Sequence, residues 1–275
     1  MSEDFGMTER RLRILAVANQ KGGVGKTTTA INFAAALVES GLTVLLVDID
    51  PQGNASTGLG VSSRDRKWTT YDVLFGHAGV DQATVKTESG VDLVPATGDL
   101  SSVDLELAGE SNRLFLLRDA LALVSGSGNG PDVVVIDCPP SLNLLTMNAL
   151  VASDGILVPL QSEFFALEGL SQLLITIRSV RQTANPRLRI DGVVLTMHDA
   201  RNNLAQQVEQ DARTNLGDLV FSTVIPRNVR ISEATSFGIS VLRHDTSSKG
   251  ADSYRRLAEE WLKRARIVRD QGEFA

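Results

Sequence analysis

Residues 20 to 29 read Gln-Lys-Gly-Gly-Val-Gly-Lys-Thr-Thr-Thr, between an apolar run (Ile14 to Ala18) and a stretch of helical periodicity (Ala30 to Val38). A strand that enters a glycine-rich turn and leaves it through Gly-Lys-Thr into a helix has the build of a phosphate cradle. Glycines let backbone N–H groups close on an anion, the helix N-terminus adds positive dipole, and Lys26 adds a full charge. Thr27 can then offer its hydroxyl to a Mg²⁺ ion. The first glycine position of the usual pattern, six before Lys26, holds Gln20; glycines at 22, 23 and 25 and a second lysine, Lys21, stand in compensation. Two lysines converging on one phosphate chain imply more than nucleotide storage.

Downstream of this loop the chain alternates strand-like and helix-like segments. Apolar β-type runs occur at Arg13–Ala18, Thr43–Asp48, Val91–Pro95, Val133–Asp137, Gly155–Leu160, Gly192–Met197 and Val220–Ile225. Runs such as Val133-Val134-Val135-Ile136 are apolar without alternation, as in strands covered on both faces. Helical periodicity fits Thr28–Glu39, Asn112–Val124, Asn143–Val151, Leu167–Thr183, Leu204–Leu216 and Lys249–Val268. The order predicts an α/β fold, a single doubly wound, mostly parallel sheet with helices on both faces, whose ligands sit at the carboxyl ends of the strands. With 275 residues, 43% of them hydrophobic, one large domain over 12–269 is enough to account for the chain. Residues 1–11 are polar and expected to fray, and 270–275 form an acidic tail. The Ser125–Gly130 segment is expected to be a flexible connector. Residues 53–72 are long and irregular for a plain connection and are expected to move with ligand.

Two strand ends carry carboxylates. Thr43–Val47 runs into Asp48-Ile49-Asp50-Pro51, where an acid can hold Mg²⁺ waters or orient an attacking water, or merely cap a turn. Val133–Ile136 ends in Asp137, the hydrophobic-strand carboxylate that meets Mg²⁺ in nucleotide hydrolases. Cys138 follows with no basic neighbour in sequence and reads as a packed small residue. It is the single cysteine, so neither a disulfide framework nor a thiolate metal site can form within one chain. No secretory signal or apolar run of spanning length is visible, and the expectation is a cytoplasmic protein.

The net charge of −6 hides an asymmetry. Residues 1–175 hold 11 Lys and Arg against 21 Asp and Glu, whereas 176–275 hold 16 against 12, and 14 of those 16 are arginine. A basic, Arg-rich final third suits phosphate contacts, though scattered solvated arginines would give the same count.

Three segments together, Lys21-Gly-Gly-Val-Gly-Lys-Thr-Thr28, Val47-Asp-Ile-Asp-Pro-Gln-Gly-Asn54 and Val135-Ile-Asp-Cys-Pro-Pro-Ser141, resemble the deviant Walker A P-loop ATPases of the ParA/MinD family. Thr196-Met-His-Asp-Ala-Arg-Asn202 and Ile225-Pro-Arg-Asn-Val-Arg-Ile-Ser-Glu-Ala234 are similar to the ParA/Soj branch, the chromosome and plasmid partition ATPases. The resemblance spans roughly 12–265 and implies ATP and Mg²⁺ as ligands. It implies that Lys26 and the amides of Gly22, Gly23, Val24, Gly25, Thr27 and Thr28 hold phosphates, and that Thr27 and Asp137 serve Mg²⁺. It further implies that Lys21 reaches a partner's phosphates across an ATP-dependent homodimer and that Asp50 positions the hydrolytic water. Pro226 and Asn228 would line the adenine, and Arg201 and Arg230 would meet non-specific double-stranded DNA. A ParB-type centromere-binding protein would stimulate hydrolysis, and the protein would be nucleoid-associated.

The runner-up is a MinD-like membrane-cycling ATPase. Its sign would be an amphipathic C-terminal helix, and Leu257, Trp261, Leu262 and Ala265 do form a stripe. That stripe is expected to pack on the sheet, and the acidic tail disfavours anionic lipid. A nitrogenase-type electron-transfer ATPase needs two cysteines per subunit. A biosynthetic amidase of the superfamily needs a substrate pocket that nothing in the sequence marks. Only 20 residues precede Lys21, so an N-terminal operator-binding region is not expected.

Overall fold

The computed structural model describes residues 12–125, 130–163 and 166–265. The 1–11 segment, the centre of the Ser125–Gly130 loop, the end of the helix expected over Lys249–Val268 and the 270–275 tail lie outside them. The strands are β1 (Arg13–Val17), β2 (Val44–Asp48), β3 (Val85–Lys86), β4 (Asp92–Val94), β5 (Val133–Asp137), β6 (Gly155–Gln161), β7 (Arg189–His198) and β8 (Val220–Pro226). They form one sheet in the order β3-β4-β2-β5-β1-β6-β7-β8, parallel throughout except for β3 against β4.

The unalternating apolar runs have a direct structural cause. Val134 and Ile136 of β5 enter one core layer while Val133 and Val135 enter the other. β2 divides likewise, Leu45 and Val47 on one side, Val44 and Leu46 on the other. Helices Leu116–Ser125, Leu144–Ala152 and Ala166–Thr183 cover the first face, and Lys26–Glu39, Val229–Ser236 and Lys249–Ala265 the second. Each fully buried Val or Leu adds about 1.5–3 kcal/mol of transfer free energy, so both faces must be covered for these strands to be stable.

The C-terminal stripe belongs to this core. Leu257, Trp261 and Leu262 are buried, and Trp261 meets Phe33 edge-on at 5.4 Å. The indole N–H donates to Asp191 Oδ2 at 2.9 Å, and Arg13 Nη2 reaches both oxygens of the same carboxylate at 2.9 Å. Asp191 therefore ties β1, β7 and the last helix together, and β7 begins at Arg189, ahead of the apolar run that begins at Gly192, because Arg189 and Ile190 pair with Gly155 and Ile156 of β6.

Two further differences from the sequence expectation have local causes. The helix expected from Asn112 begins at Leu116, because Asn148 Nδ2 takes the Arg113 carbonyl (2.8 Å) while its Oδ1 accepts the Leu117 N–H (3.2 Å). A neighbouring side chain thus caps the helix in place of another turn. The 53–72 connection contains the helix Asn54–Gly58 and a 3₁₀ turn Ser63–Asp65. The Arg66 guanidinium staples it by donating to Ala96 O (2.7 Å), Val61 O (2.9 Å) and Thr57 Oγ1 (2.7 Å).

Candidate functional site

The winding of the sheet sets the carboxyl ends of β1, β2 and β5 side by side, with Asp137 in register with both Val17 and Asp48. The glycine-rich loop leaves β1 at this point. Asn19 anchors its start, donating through Nδ2 to Pro159 O (2.7 Å) and accepting the Lys21 N–H (3.1 Å). Gly23 (φ 75°) and Gly25 (φ 83°) adopt the left-handed region, where a side chain is strained. Among the described residues, no acceptor takes the backbone N–H groups from Gly22 through Thr28. A run of free donors at a helix N-terminus is an anion site by construction.

Lys26 lies within the loop, 7% exposed, its ammonium donating to the Lys21 carbonyl at 3.0 Å. Burial pushes its pKa down, and Asp137, Cys138 and Asp50 oppose that shift. Lys21 points elsewhere. Its ammonium meets Glu163 Oε2 at 3.4 Å near the surface.

The carboxylates differ in their surroundings. Asp48 is fully buried and capped, accepting the Ser56 N–H (2.8 Å), the Ser56 hydroxyl (2.7 Å) and the Asp50 N–H (3.2 Å). Burial raises its pKa to about 6 against the pull of those hydrogen bonds. Asp50 accepts the Gln52 N–H at 3.0 Å and acts electrostatically on Lys26 and Asp137. Asp137 is fully buried, and neither of its oxygens has a hydrogen-bond partner among the described residues. Burial and the Asp48 charge push its pKa up, opposed by the Thr27 hydroxyl and Lys26. An orphaned buried carboxylate beside a threonine hydroxyl fits a Mg²⁺ ion, which is held by one or two protein oxygens and keeps its remaining waters. Cys138 is buried, and burial drives its thiol pKa further up, as a packed residue requires.

The remaining sequence candidates lie at or beyond the ends of β7 and β8. Pro226 ends β8 opposite His198 of β7. Asn228 caps the helix Val229–Ser236, its Oδ1 accepting the Arg230 N–H at 2.8 Å. Arg201 is 91% exposed and pairs with Asp199 at 3.0 Å. Arg230 is about half exposed and pairs with Glu233 (2.8 Å) and Asp245 (3.4 Å). Sequence reasoning missed Glu163, the partner of Lys21, although Gln161-Ser162-Glu163 marks the polar end of an apolar strand. It also passed over Thr196 individually. The Thr196 hydroxyl donates to the Val24 carbonyl inside the loop at 2.8 Å.

Residues 12–190 match the AAA domain family. The chain is 56% identical over 262 residues to the chromosome partitioning protein ParA of Caulobacter vibrioides, covering 94% of this chain and 97% of that one. The chain belongs to the ParA/Soj family of chromosome-partitioning ATPases. The chromosome-partitioning ATPase Soj of Thermus thermophilus is 50% identical over 258 residues, 94% of this chain and 98% of Soj. Among solved structures, one named cobyrinic acid a,c-diamide synthase from Mycobacterium smegmatis, with bound ADP and magnesium, superposes with a TM-score of 0.82 at 38% identity, over 96% of this chain and 100% of that one. The cell division ATPase MinD of Pyrococcus furiosus superposes with a TM-score of 0.75 at 30% identity, over 91% and 98%. Family membership brings ATP binding and hydrolysis. The single, mostly parallel sheet with helices on both faces and the P-loop architecture are those expected from the sequence. No helix among the described residues is long and apolar enough to cross a membrane.

Proposed function

We propose that the chain is an ATP-driven DNA partition switch, in which ATP binding builds a nucleotide-sandwich homodimer that grips DNA non-specifically and hydrolysis releases it. The observation that carries this reading is the division between the two loop lysines. Lys26 lies in its own cradle, while the Lys21 ammonium points out to Glu163 at the surface. An ammonium so placed is available to a second subunit's phosphates. Many phosphate charges meet in such a sandwich, which calls for cations supplied in trans.

Within one subunit, Lys26 and the Gly22–Thr28 amides would hold the β- and γ-phosphates, with Pro226 and Asn228 beside the base. Thr27 and Asp137 would hold Mg²⁺, which when bound neutralises charge on the phosphate oxygens and helps align the leaving group. Asp50 would orient the attacking water. The expected stimulating partner is a ParB-type centromere-binding protein, and the expected place of work is the nucleoid. Lys21→Ala should bind ATP as a monomer yet neither dimerise nor hydrolyse it. Sedimentation with a slowly hydrolysed ATP analogue checks this, and a normal dimer rules the role out.

The DNA contact is assigned to Arg201 and Arg230. Their carboxylate partners do not argue against it, because solvent-exposed ion pairs are weak and exchange readily for phosphate. A dimer doubles the number of such contacts, which makes affinity depend on ATP without base readout. Arg230→Ala should weaken binding equally on unrelated duplexes and lower the log–log salt slope by about 0.9 per subunit. ATP binding and dimerisation should survive. Weakened ATP binding with unchanged DNA binding by the preformed dimer would instead place Arg230 in support of the nucleotide pocket through Asn228.

A further inference from the structure

The end of β7 lies against the phosphate loop, and its two contacts fall on a single peptide unit. Thr196, 2% exposed, donates its hydroxyl to Val24 O at 2.8 Å across 172 positions of sequence. A side-chain carbon added to Gly25 would lie 3.6 Å from Met197 Cε and 3.9 Å from Thr196 Cβ. The Val24 carbonyl and the Gly25 N–H belong to the same planar trans peptide, so they point in opposite directions. Whatever fixes the carbonyl aims the N–H. The carbonyl is held by β7, and no acceptor among the described residues takes the Gly25 N–H.

Met197 adds a second sign that this contact is enforced. It is the one non-glycine residue with positive φ among the described residues (φ 51°). Such a conformation costs about 1 kcal/mol or more and persists only where the surroundings over-determine it. Those surroundings are visible on both sides. The Thr196 carbonyl accepts the Ser162 N–H at 3.4 Å from β6, and the His198 carbonyl accepts the Arg227 N–H at 3.0 Å from the end of β8. The strand end is thus pinned by its neighbours and in turn pins the loop.

We propose that Thr196 is a positioning residue for phosphate binding, its hydroxyl holding the Val24–Gly25 peptide with the Gly25 N–H turned toward the phosphate chain. This deepens the assignment of the loop as a phosphate site and rests on it. A donor set in advance saves the ordering cost that a free peptide would incur on binding.

The test compares Thr196→Val, which keeps the β-branched shape and loses the donor, with Thr196→Ser, which keeps the donor. Dissociation constants for Mg-ADP and for adenosine are measured on both, with Lys26→Ala in parallel and a thermal melt of each protein without nucleotide. Thr196→Val should weaken Mg-ADP by about tenfold, the worth of one net hydrogen bond, and leave adenosine unchanged. Thr196→Ser should bind Mg-ADP like the parent protein. Should Thr196→Val give no cooperative melt, Thr196→Ala takes its place. The proposal is overturned if the variant lacking the donor binds Mg-ADP normally, if serine is as weak as valine, or if adenosine is weakened equally. Undiminished ADP binding by Lys26→Ala would instead sink the phosphate-site assignment itself. Loss in Lys26→Ala with normal binding in Thr196→Val would sink only the positioning role.

Discussion

Lys26→Ala is expected to lose nucleotide binding by at least about 100-fold while leaving the nucleotide-free fold intact. The two halves of that expectation have one cause. Lys26 is 7% exposed, and its ammonium donates to a backbone carbonyl, that of Lys21. Burial disfavours its charged form, and the carboxylates of Asp137 and Asp50 hold it charged. Burial already raises the pKa of Asp137, so in the empty alanine variant that carboxyl can take up a proton in place of the lost cation, which limits the cost of leaving it unpaired. The stabilising partner of Lys26 is the phosphate chain, where charge-assisted hydrogen bonds in a water-poor site contribute about 3 kcal/mol. Titration calorimetry with ATP and a thermal melt of the nucleotide-free variant together check the expectation. Parental ATP affinity would refute the assignment. A large drop in the melt would show that Lys26 supports the fold instead.

What the sequence made legible and what it hid divide along physical lines. Local signals survived intact. Apolar runs without alternation announced strands buried on two faces, and the loop glycines at 23 and 25 stand where φ is positive. The winding of the sheet then brought Lys26, Asp50 and Asp137 to one end, as the β-α-β order implies. Contacts between residues far apart in sequence left no local trace. Glu163 is 142 positions from Lys21, and Thr196, on β7 two strands from β1, meets Val24 across 172 positions. Arg66 looks like any surface arginine until its guanidinium is seen holding Val61, Ala96 and Thr57. The edge strand β3 is too short to produce a periodicity.

Asp48 and Asp50 differ in surroundings that spacing alone did not reveal. Both follow the same strand, and either could cap a turn or serve the site. Asp48 takes the cap, with Ser56 bonded to it twice and its pKa raised to about 6 by burial. Asp50 is the acid proposed to act in the cradle. Its charge reaches Lys26 and Asp137, and it accepts the Gln52 N–H in a short turn.

Asp50→Ala is therefore expected to separate binding from turnover. Lys26, Lys21 and the loop amides remain, so ATP should bind and ATP-bound dimers should accumulate. Hydrolysis should fall by about 10²- to 10⁴-fold, the range for removing a general base or water-positioning group. Alanine also deletes the acceptor for Gln52 N–H, which could loosen the turn and slow turnover for a structural reason. Asp50→Asn resolves that ambiguity, because its amide oxygen can keep the turn while the negative charge is lost. If the charge matters, asparagine should hydrolyse as slowly as alanine and melt like the parent protein. If the turn matters, asparagine should recover most of the rate. Single-turnover hydrolysis measured beside sedimentation of the ATP-bound protein reads both quantities on the same sample. An undiminished rate in Asp50→Asn, or a strictly monomeric variant with ATP, would remove Asp50 from the chemistry. The water-orienting role would then have to be sought among the other groups that converge on the ends of β1, β2 and β5.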